Sequence, residues 1–299
     1  MKKYPLHQSP FYKCSTKRKL ADILNIEIKK INYLIKNIES DKAYFMFKDK
    51  NDRKITSPNH ELKRVQKRIN ALISRINVPD WIHGGVKKRS IQTNVTTHKN
   101  SNVFVKLDIK GFFENCSREH VYRFFNRKLK MSPDTAKILT DLTTYQNSLV
   151  TGSPTSTYLS FLVYEDMFMQ VYNIMKKRNM LMSLYIDDIT ISGNKRIKDL
   201  DSFLMEINNT LKKYGHRLNV SKSFYGTVTD YPVITGVVVS PGGNLKVPNK
   251  QRQKIINLLE LLNSKSKQDD NLKNKIKGSI VTAQQTESNI FLNTLNKIK

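Results

Sequence analysis

Two adjacent carboxylates are the residues of this chain best suited to chemistry. Asp187 and Asp188 stand between two short runs, 181–186 and 189–192, that alternate apolar and polar side chains. Alternation with a period of two predicts strands, and the polar break between the runs predicts a hairpin turn. Adjacent acids in a turn are often only solvated turn residues, but two carboxylates at a hairpin tip also suit a divalent cation. The pair alone leaves both interpretations open.

A third acid ends another apolar strand. Within 103–109, the odd-numbered side chains share one face, and Phe104, Lys106 and Asp108 share the other. Burying an unpaired carboxylate is costly, so Asp108 needs a cation. If this strand lies beside the 181–192 hairpin, three hard oxygen donors converge, which suits Mg²⁺. Two such ions would activate an attacking hydroxyl and stabilise the leaving oxygen of an in-line displacement at phosphorus.

Composition and charge indicate a folded protein with a polyanionic partner. The 299 residues are 38% hydrophobic, enough for one large domain or two to three tightly joined subdomains. Lysine and arginine number 52 against 25 acids, and the net charge of +27 is spread along the chain. Phosphate backbones bind distributed cations through counterion release, so nucleic acid is the expected partner.

Cysteine use and hydropathy predict a cytoplasmic location. Cys14 and Cys116 are the only cysteines, too few for a disulfide scaffold or a zinc site, and they fit a reducing compartment. The first residues lack the apolar run of a signal peptide, and no stretch approaches the roughly 18 apolar residues that span a bilayer. We therefore expect a soluble cytoplasmic protein without a membrane partner.

The elements that must position the acids follow from periodicity and turn residues. Residues 16–39 have the apolar spacing of a helix, 44–47 and 53–56 predict a strand pair, and Ser57-Pro58-Asn59 predicts the start of another helix. The basic face of that helix is interpreted as solvated. From residue 100 on, the predicted order is strand 103–109, helices 117–145 and 154–178, strand pair 181–192, helix 197–214, strands near 218–228 and 232–240, and helices from 248 onward. This order indicates a mixed α/β core with a helical tail.

Together these segments resemble the reverse transcriptases. Leu107-Asp108-Ile109-Lys110-Gly111-Phe112-Phe113 is similar to polymerase motif A, and Tyr185-Ile186-Asp187-Asp188 is similar to motif C. The other matching segments follow the family order: fingers elements at 53–56 and 83–90, motif B at 151–156, and motif D at 215–219 with 221–223. Motif B departs from the family at Thr151 and at Ser156-Thr157, where the family has Gln and Ser-Pro. Order and spacing match over roughly residues 45–240.

Two further segments resemble the retron reverse transcriptases. Asn94-Val95-Thr96-Thr97-His98 fits the Asn-x-x-x-His element of that group, and Ile234-Thr235-Gly236 stands where the group has Val-Thr-Gly. By itself, His98 is typical of a capping or core histidine, whereas its place in the motif order implies a role in holding the retron RNA. The compact length, without maturase or endonuclease extensions, is also similar to a retron enzyme.

The resemblance implies an α/β (α+β) right-hand polymerase with fingers, palm and thumb. Residues 1–102 would form the N-terminal helices and fingers. Residues 103–240 would form a palm, whose antiparallel sheet packs on helices and carries the catalytic residues. Residues 241–299 would form a helical thumb that binds RNA or the hybrid duplex.

The resemblance also assigns a catalytic site. Asp108 and Asp187 are expected to bridge two Mg²⁺ ions, for which Mn²⁺ can substitute. Asp188 completes the site, and the Ile109 carbonyl adds a ligand. Lys222 is expected to donate a proton to the pyrophosphate leaving group as a general acid.

Substrate contacts are implied for several further groups. Arg53 and Lys54 would hold the incoming triphosphate. Phe113 would exclude a ribonucleotide 2′-hydroxyl, although its sequence position fits a core aromatic nearly as well. Tyr185 would pack beneath the primer terminus. The remaining expected contacts are to the nucleotide (Gly152, Pro154), to the template backbone (Lys87, Lys88, Arg89) and to RNA (Asn94, His98, Thr235, Gly236, Lys250, Arg252, Lys254).

The implied function is RNA-directed DNA synthesis in a bacterial retron. The enzyme would use dNTPs to copy a cognate structured non-coding RNA into RNA-linked single-stranded DNA (msDNA), starting from a 2′-hydroxyl of that RNA. The resemblance implies antiphage (antiviral) defence with a separate effector protein. Two alternatives stay open: a non-retron defence reverse transcriptase making template-repetitive or protein-primed DNA, and a catalytically silent RNA-binding scaffold for a toxic effector.

Overall fold

The computed structural model describes residues 3–49, 52–264 and 269–298. In chain order the helices are α1 (Lys17–Leu24), α2 (Ile28–Glu39), α3 (His60–Ile73), α4 (Ile91–Thr96), α5 (Phe112–Asn115), α6 (Arg118–Arg123), α7 (Pro133–Thr143), α8 (Ser156–Val163), α9 (Glu165–Lys177), α10 (Leu200–Lys212), α11 (Asn249–Ser264), α12 (Asp270–Gln284) and α13 (Leu292–Ile298). The strands are β1 (Tyr44–Lys48), β2 (Lys54–Pro58), β3 (Val103–Leu107), β4 (Leu181–Tyr185), β5 (Asp188–Gly193), β6 (Phe224–Thr227), β7 (Val233–Ile234), β8 (Val237–Ser240) and β9 (Asn244–Lys246).

Two units share these elements, and each is assembled from separate stretches of chain. The first comprises Met1–Val86, Ile109–Ile174 and Asp199–Asn219, and the second comprises Lys87–Asp108, Met175–Lys198 and Val220–Lys299. The predicted mixture of helices with antiparallel sheet is confirmed. The division into fingers, palm and thumb at residues 102/103 and 240/241 stays a prediction.

In the first unit, predicted long helices are broken where a residue leaves the helical conformation. Asn25 ends α1 in the left-handed region at φ 56°, so the single helix predicted over 16–39 is wrong and two helices, α1 and α2, take its place. Asparagine tolerates this conformation better than most residues. Tyr164 likewise separates α8 from α9 within the helix predicted over 154–178. The helix start predicted at Asn59 is confirmed, because its side chain accepts a hydrogen bond from the Leu62 N–H.

A close backbone approach joins the β1–β2 hairpin to the loop before α8. The two strands pair antiparallel, as predicted. The Gly152 N–H donates to the Thr56 carbonyl at 2.9 Å. A Cβ at Gly152 would lie 2.5 Å from that oxygen and 2.9 Å from the Ser57 Cα. Only glycine allows the two backbones to come this close.

The second unit contains a four-stranded antiparallel sheet in the order β4-β5-β3-β6. β3 lies between β5 and β6, with Leu107 opposite Ile189 and Lys106 opposite both Thr190 and Phe224. Phe104, on the face that also carries Lys106, is fully buried. It packs with Val95, Ile234, Val237 and Val239. Both faces of β3 are therefore covered at this end of the sheet.

A separate three-stranded sheet, β7-β8-β9, belongs to the same unit. Its third strand, β9, was not predicted, because three residues after Gly242 and Gly243 carry no periodic signal. The strand predicted over 218–228 is shortened to β6, since a 3-10 turn occupies Val220–Lys222.

The helices predicted from residue 248 onward form a small apolar cluster of their own. Its buried members are Val247, Ile255, Leu272, Ile276, Ile280 and Ala283. Asp269 caps α12 by accepting a hydrogen bond from the Leu272 N–H. No helix in the described ranges has both the length and the apolar character needed to cross a membrane.

We predict that Gly152→Ala destabilises the protein, because its methyl group would overlap the Thr56 carbonyl. Overpacking of this kind typically costs about 1–3 kcal/mol. Chemical denaturation would measure the loss.

The matched control is Gly278→Ala in α12, where nothing lies within 4 Å of the added Cβ. This change should stabilise the protein by about 0.5–1 kcal/mol, since alanine favours a helix interior over glycine. Equal effects of the two substitutions would contradict the close approach at Gly152.

Candidate active site

The β4–β5 hairpin carries two of the three predicted acids in a tight turn. Tyr185 pairs with Asp188, so the turn consists of Ile186 and Asp187 alone. Ile186 adopts a φ of 66°, a left-handed conformation that is strained for a β-branched side chain. The predicted first strand therefore ends one residue early, and Asp187 occupies the tip while Asp188 begins β5.

Strand register brings the third acid to the same end of the sheet. Leu107 lies opposite Ile189, so the same ladder extended by one residue places Asp108 opposite Asp188. Directly opposed residues of antiparallel strands share a face, with Cβ atoms about 4.5–5.5 Å apart. Tyr185 joins that face through its pairing with Asp188. The convergence predicted if the strand lay beside the hairpin thus occurs within one sheet.

Burial and this juxtaposition raise the pKa values of two of the acids, Asp187 and Asp188. Burial, followed by the charge of Asp188 and then that of Asp108, raises the pKa of Asp187 to about 6. Burial also raises the pKa of Asp188, with Asp108 acting in the same direction and Lys106 and Lys222 opposing it. The end of the sheet therefore holds negative charge that its own residues only partly compensate.

Two lysines supply that partial compensation. The exposed Lys222 places its Nζ 4.0 Å from the Asp108 Oδ2. Lys106, two residues before Asp108 and on the same face, was not assigned a role from sequence. The alternation of β3 could have indicated a role for Lys106, because it places the Lys106 and Asp108 side chains on one face. Lys222 was assigned by resemblance, and its position beside Asp108 is compatible with a proton donor there.

The donor set fits a divalent cation, although it is not already folded around one. Among the described residues, no group of three or more His, Cys, Asp or Glu side chains is arranged as a metal-binding cluster. The carboxylates supply hard oxygen donors, and burial followed by repulsion raises the pKa values of Asp187 and Asp188, an effect that a divalent cation would counteract. Side-chain rotation would have to complete the coordination. The Ile109 carbonyl as a further ligand stays a prediction.

Several predicted substrate residues lie in the first unit. Arg53 and Lys54 are exposed on the β1–β2 hairpin, and Gly152 and Pro154 are half-buried. Phe113 is half-buried beside the buried Phe112, with ring centroids 5.5 Å apart. Phe112 is thus the core aromatic of motif A, because it also packs against Phe168, Tyr164 and His216. The nucleotide contacts of these residues stay predictions.

His216 is a buried residue that the sequence did not single out. Burial lowers its pKa to about 4, with the charge of His120 adding to the effect. Neither ring nitrogen of His216 has a hydrogen-bond partner, and its ring lies edge-on to Tyr164 at 4.5 Å. It is a neutral packing residue behind motif A.

The structure corrects the expected RNA contacts of Asn94 and His98. Both side chains are fully buried. The Asn94 Nδ2 donates to the Thr235 Oγ1 at 3.3 Å, and the His98 ring lies within 2.7 Å of Ser183 and Ser192 hydroxyls. Direct contact with RNA does not fit this burial. A short motif has no periodicity, so its burial could not be predicted from the sequence.

The other residues predicted to contact RNA or the template differ in solvent exposure. Thr235 and Gly236 form the β7–β8 turn with φ values of 46° and 85°, as in the type I′ turns that favour glycine. The exposed cations are Lys87, Lys88, Lys250 and Lys254, and Arg89 is half-buried.

Arg252 requires a correction. Its guanidinium donates to both oxygens of Glu287 at 2.7 Å, and Glu287 also accepts from the Val247 N–H at 2.9 Å. Arg252 thus ties α11 to the segment after α12, and two of its three guanidinium nitrogens, Nε and Nη2, donate within the protein. The expectation of an RNA contact missed a partner 35 residues away.

The chain is similar in sequence to known proteins. A sequence model of the family described as reverse transcriptase (RNA-dependent DNA polymerase) matches residues 12–259. Retron Se72 reverse transcriptase of Salmonella heidelberg (strain 579083-10) is 28% identical over 210 residues, covering 68% of this chain and 55% of the relative. Retron Ec86 reverse transcriptase of Escherichia coli is 25% identical over 195 residues, covering 64% of this chain and 60% of the relative.

A third relative extends the match. Retron Mx162 reverse transcriptase of Myxococcus xanthus is 25% identical over 258 residues, covering 75% of this chain and 53% of the relative. The chain thus spans about half the length of the curated relatives it matches. The resemblance to retron-type reverse transcriptases stated from the motifs is confirmed.

We predict that Asp187→Asn stabilises the metal-free protein at neutral pH. The folded state holds the Asp187 proton more tightly than the unfolded chain, because the pKa is raised from 3.8 to about 6. The stability of the wild type therefore falls as pH rises through this window, and the variant lacks this loss. After allowance for partial exposure, the difference at pH 7 should be on the order of 2 kcal/mol and should vanish near pH 4.

Denaturant unfolding in EDTA across this pH range measures the effect, and Mg²⁺ should raise the thermal midpoint of the wild type but not of the variant. The exposed Asp201→Asn provides a control that should follow the wild type. Parallel pH profiles for wild type and Asp187→Asn would refute the prediction.

Proposed function

This chain belongs to the reverse transcriptase (RNA-dependent DNA polymerase) family, and from that premise we propose that it synthesises DNA on an RNA template at the acids of the β4–β5 hairpin. The observation that carries the proposal is the set of three carboxylates at one end of the sheet, two of them with raised pKa values. Such a concentration of poorly compensated charge destabilises the free protein, which favours a catalytic over a structural origin.

A divalent metal cofactor is implied by the family, and the acids would hold it. Asp108 and Asp187 would bind both of two Mg²⁺ ions, and Asp188 would complete the site. When bound, these ions would activate the primer hydroxyl and stabilise the departing pyrophosphate oxygen. Rotamer changes of the acids, together with substrate phosphates as ligands, would complete the coordination.

Protein side chains would perform the remaining steps. Lys222, already beside Asp108, would donate a proton to the pyrophosphate. Tyr185 shares the face of Asp188 and would support the primer terminus there. Arg53 and Lys54, exposed on their hairpin, would neutralise the triphosphate. Lys87, Lys88 and Arg89 would contact the template backbone.

The proposed template is a structured non-coding RNA encoded with the enzyme. The relatives support this proposal, since each of the three is a retron reverse transcriptase. The product would be single-stranded DNA joined to that RNA, and a separate effector would act with it in antiphage defence. The exposed Lys250 and Lys254 of α11 would follow the hybrid duplex through its backbone.

The experiment that tests the template is purification of the protein expressed with its flanking DNA, followed by analysis of the bound nucleic acid. We expect DNA whose mobility changes after treatment with RNase and with debranching enzyme, and which Asp188→Asn abolishes. DNA without an RNA branch would favour a non-retron defence polymerase. RNA alone, unaffected by the substitution, would favour a silent scaffold.

We predict that Asp188→Asn reduces dNTP incorporation on a primed RNA by about 10³-fold, because metal-assisted charge stabilisation is worth several kcal/mol. Single-nucleotide extension with Mg²⁺ measures the rate. Asp201→Asn, an exposed acid in the first turn of α10, should leave the rate unchanged. Equal rates for wild type and Asp188→Asn would eliminate the proposed site.

We predict that Phe113→Ala incorporates ribonucleotides more readily. Phe113 is the half-buried aromatic of motif A and would stand against the sugar, where its removal opens space for a 2′-hydroxyl. The gain in relative ribonucleotide use should be on the order of tenfold or more, the effect of losing about 1.4 kcal/mol of discrimination.

Competition between each dNTP and its ribonucleotide measures this selectivity. Phe113→Tyr keeps the bulk of the ring and should discriminate as the wild type does. A purely structural Phe113 would lower stability in the alanine variant and leave the selectivity ratio unchanged.

A further inference from the structure

A buried polar cluster lies on the same sheet face as the acids, further along the hairpin. The His98 Nδ1 lies 2.7 Å from the Ser192 Oγ, and the His98 Nε2 lies 2.7 Å from the Ser183 Oγ. A third hydroxyl, the Ser101 Oγ, lies 2.7 Å from the Ser192 Oγ. The exposed fraction of each of these side chains is 5% or less. The cluster is therefore shielded from water and from a nucleic-acid ligand.

The imidazole spans the two strands of the catalytic hairpin. Ser183 belongs to β4 and lies two residues before Tyr185, while Ser192 belongs to β5 and lies four residues after Asp188. Because these spacings are even, both serines share the face of Tyr185 and Asp188. One ring nitrogen thus bonds to each strand, which opposes sliding of one strand along the other.

The backbone that presents the imidazole is itself anchored. Ser90 and Thr93 form a capping box that starts α4. The His98 N–H donates to the Val95 carbonyl at 2.9 Å, and the His98 carbonyl accepts from the Ser101 N–H at 3.1 Å. Val95 packs with Phe104 of β3 in the apolar cluster. The ring is therefore held by the same sheet that carries Asp108.

The strained turn explains why such a brace is needed. Ile186 keeps a φ of 66° at the tip, and a strained residue persists only where the surrounding structure over-determines it. Apolar residues could fill the same volume with similar stability, but they would not fix one register as directional hydrogen bonds do. A slip or tilt of β4 against β5 would move Asp187 and Asp188 together.

We infer that His98 is a positioning residue of the polymerase site, which sets the geometry of Asp187 and Asp188 by bonding β4 through Ser183 and β5 through Ser192. The inference about rate rests on the proposed function, whereas the inference about the hairpin does not. It replaces the direct RNA contact expected for His98 from its motif.

The kinetic test compares His98→Ala, His98→Asn and His98→Gln in primer extension on an oligonucleotide-primed RNA with saturating Mg²⁺. We expect kcat to fall by about 10²-fold in His98→Ala, since small misplacements of catalytic groups have effects of that size. The KM for dNTP should change little. Asn can replace the Nδ1 bond to Ser192, and Gln can replace the Nε2 bond to Ser183, so each should recover part of kcat.

A triple variant separates hydrogen bonding from stability. His98→Phe with Ser183→Ala and Ser192→Ala replaces the imidazole and both strand hydroxyls by apolar groups, so that only the Ser101 hydroxyl loses its bond to Ser192 and most of the thermal midpoint should be restored. We expect this folded protein to retain the low kcat. Wild-type kcat in the triple variant would overturn the inference.

Hydrogen–deuterium exchange tests the hairpin without requiring activity. We expect amides of residues 181–192 to exchange at least several-fold faster in His98→Ala than in wild type. The control Ile31→Ala, at a buried position in α2, lowers global stability, so we expect exchange of 181–192 to rise more in His98→Ala than in this control, and kcat of the control to stay unchanged.

The two readouts distinguish the possible failures. If the wild type incorporates no dNTP with Mg²⁺ or Mn²⁺, the proposed function fails, and faster exchange of 181–192 in His98→Ala still supports the brace. Unchanged exchange in His98→Ala overturns the inference, whether or not kcat falls.

Discussion

Repulsion among three carboxylates is the interaction on which the rest of this structure depends. Asp108 and Asp188 are opposed across two strands, and Asp187 occupies the adjacent turn. Burial, together with the charges of Asp188 and Asp108, raises the pKa of the half-buried Asp187 to about 6. Without a ligand, the protein carries this unfavourable energy in its folded state. In the proposed function, metal and substrate would bind at these carboxylates and so offset this cost.

Backbone geometry, more than side-chain packing, brings the acids together. A two-residue turn connects β4 to β5 directly, and the β3–β5 ladder ends at Leu107, the residue before Asp108. The conformation of Ile186 adds strain at the point where repulsion is already concentrated. Repulsion among the acids and strain at Ile186 therefore both favour opening of the hairpin. The interactions that oppose opening must come from elsewhere on the sheet face that carries the acids.

That face has an unusual order of side chains. The acids come first, followed by Lys106 opposite Thr190, and then Phe104 opposite Ser192. Lys106 reduces the repulsion electrostatically, as its effect on the pKa of Asp188 indicates. The cluster around His98 acts mechanically, through short hydrogen bonds to both strands. Lys106 and the His98 cluster thus counteract the repulsion among the acids in two different ways, by opposite charge and by hydrogen bonds that fix the two strands.

Sequence reasoning was accurate where a short-range pattern encoded the structure. Alternation in 103–109 and 181–192 predicted the strands and the face that carries Asp108, whereas the pairing of β3 with the hairpin entered only as a condition, which the structure meets. Helix ends were predicted less well, because Asn25 and Tyr164 are not strong breaking signals. The strand β9 is too short to produce a pattern.

Hydrogen-bond partners that are distant in sequence were not predicted. Arg252 was expected on the nucleic-acid surface from its place on a basic helix face, yet its charge is directed to Glu287. His98 was expected to hold RNA from its motif, yet its partners are 85 and 94 residues away in the fold's own sheet. In both cases the sequence singled out the residue, and only the tertiary structure identified which groups of the protein it bonds to.

These two residues also show how a highly basic chain can build a precise site. Most of its excess of cations must stay solvated to attract phosphate, as the exposed Lys250 and Lys254 do. Arg252 differs from these solvated cations, because its bonds to both carboxylate oxygens of Glu287 give its side chain one fixed geometry. His98 likewise has one fixed geometry, because its ring bonds to a serine hydroxyl on each strand of the hairpin. An imidazole can make these bonds without carrying a charge beside Lys106. An arginine at position 98 would place a buried cation on the sheet face that carries the three carboxylates and would oppose the proposed binding of a metal there, whereas an imidazole can bond both strands without carrying a charge.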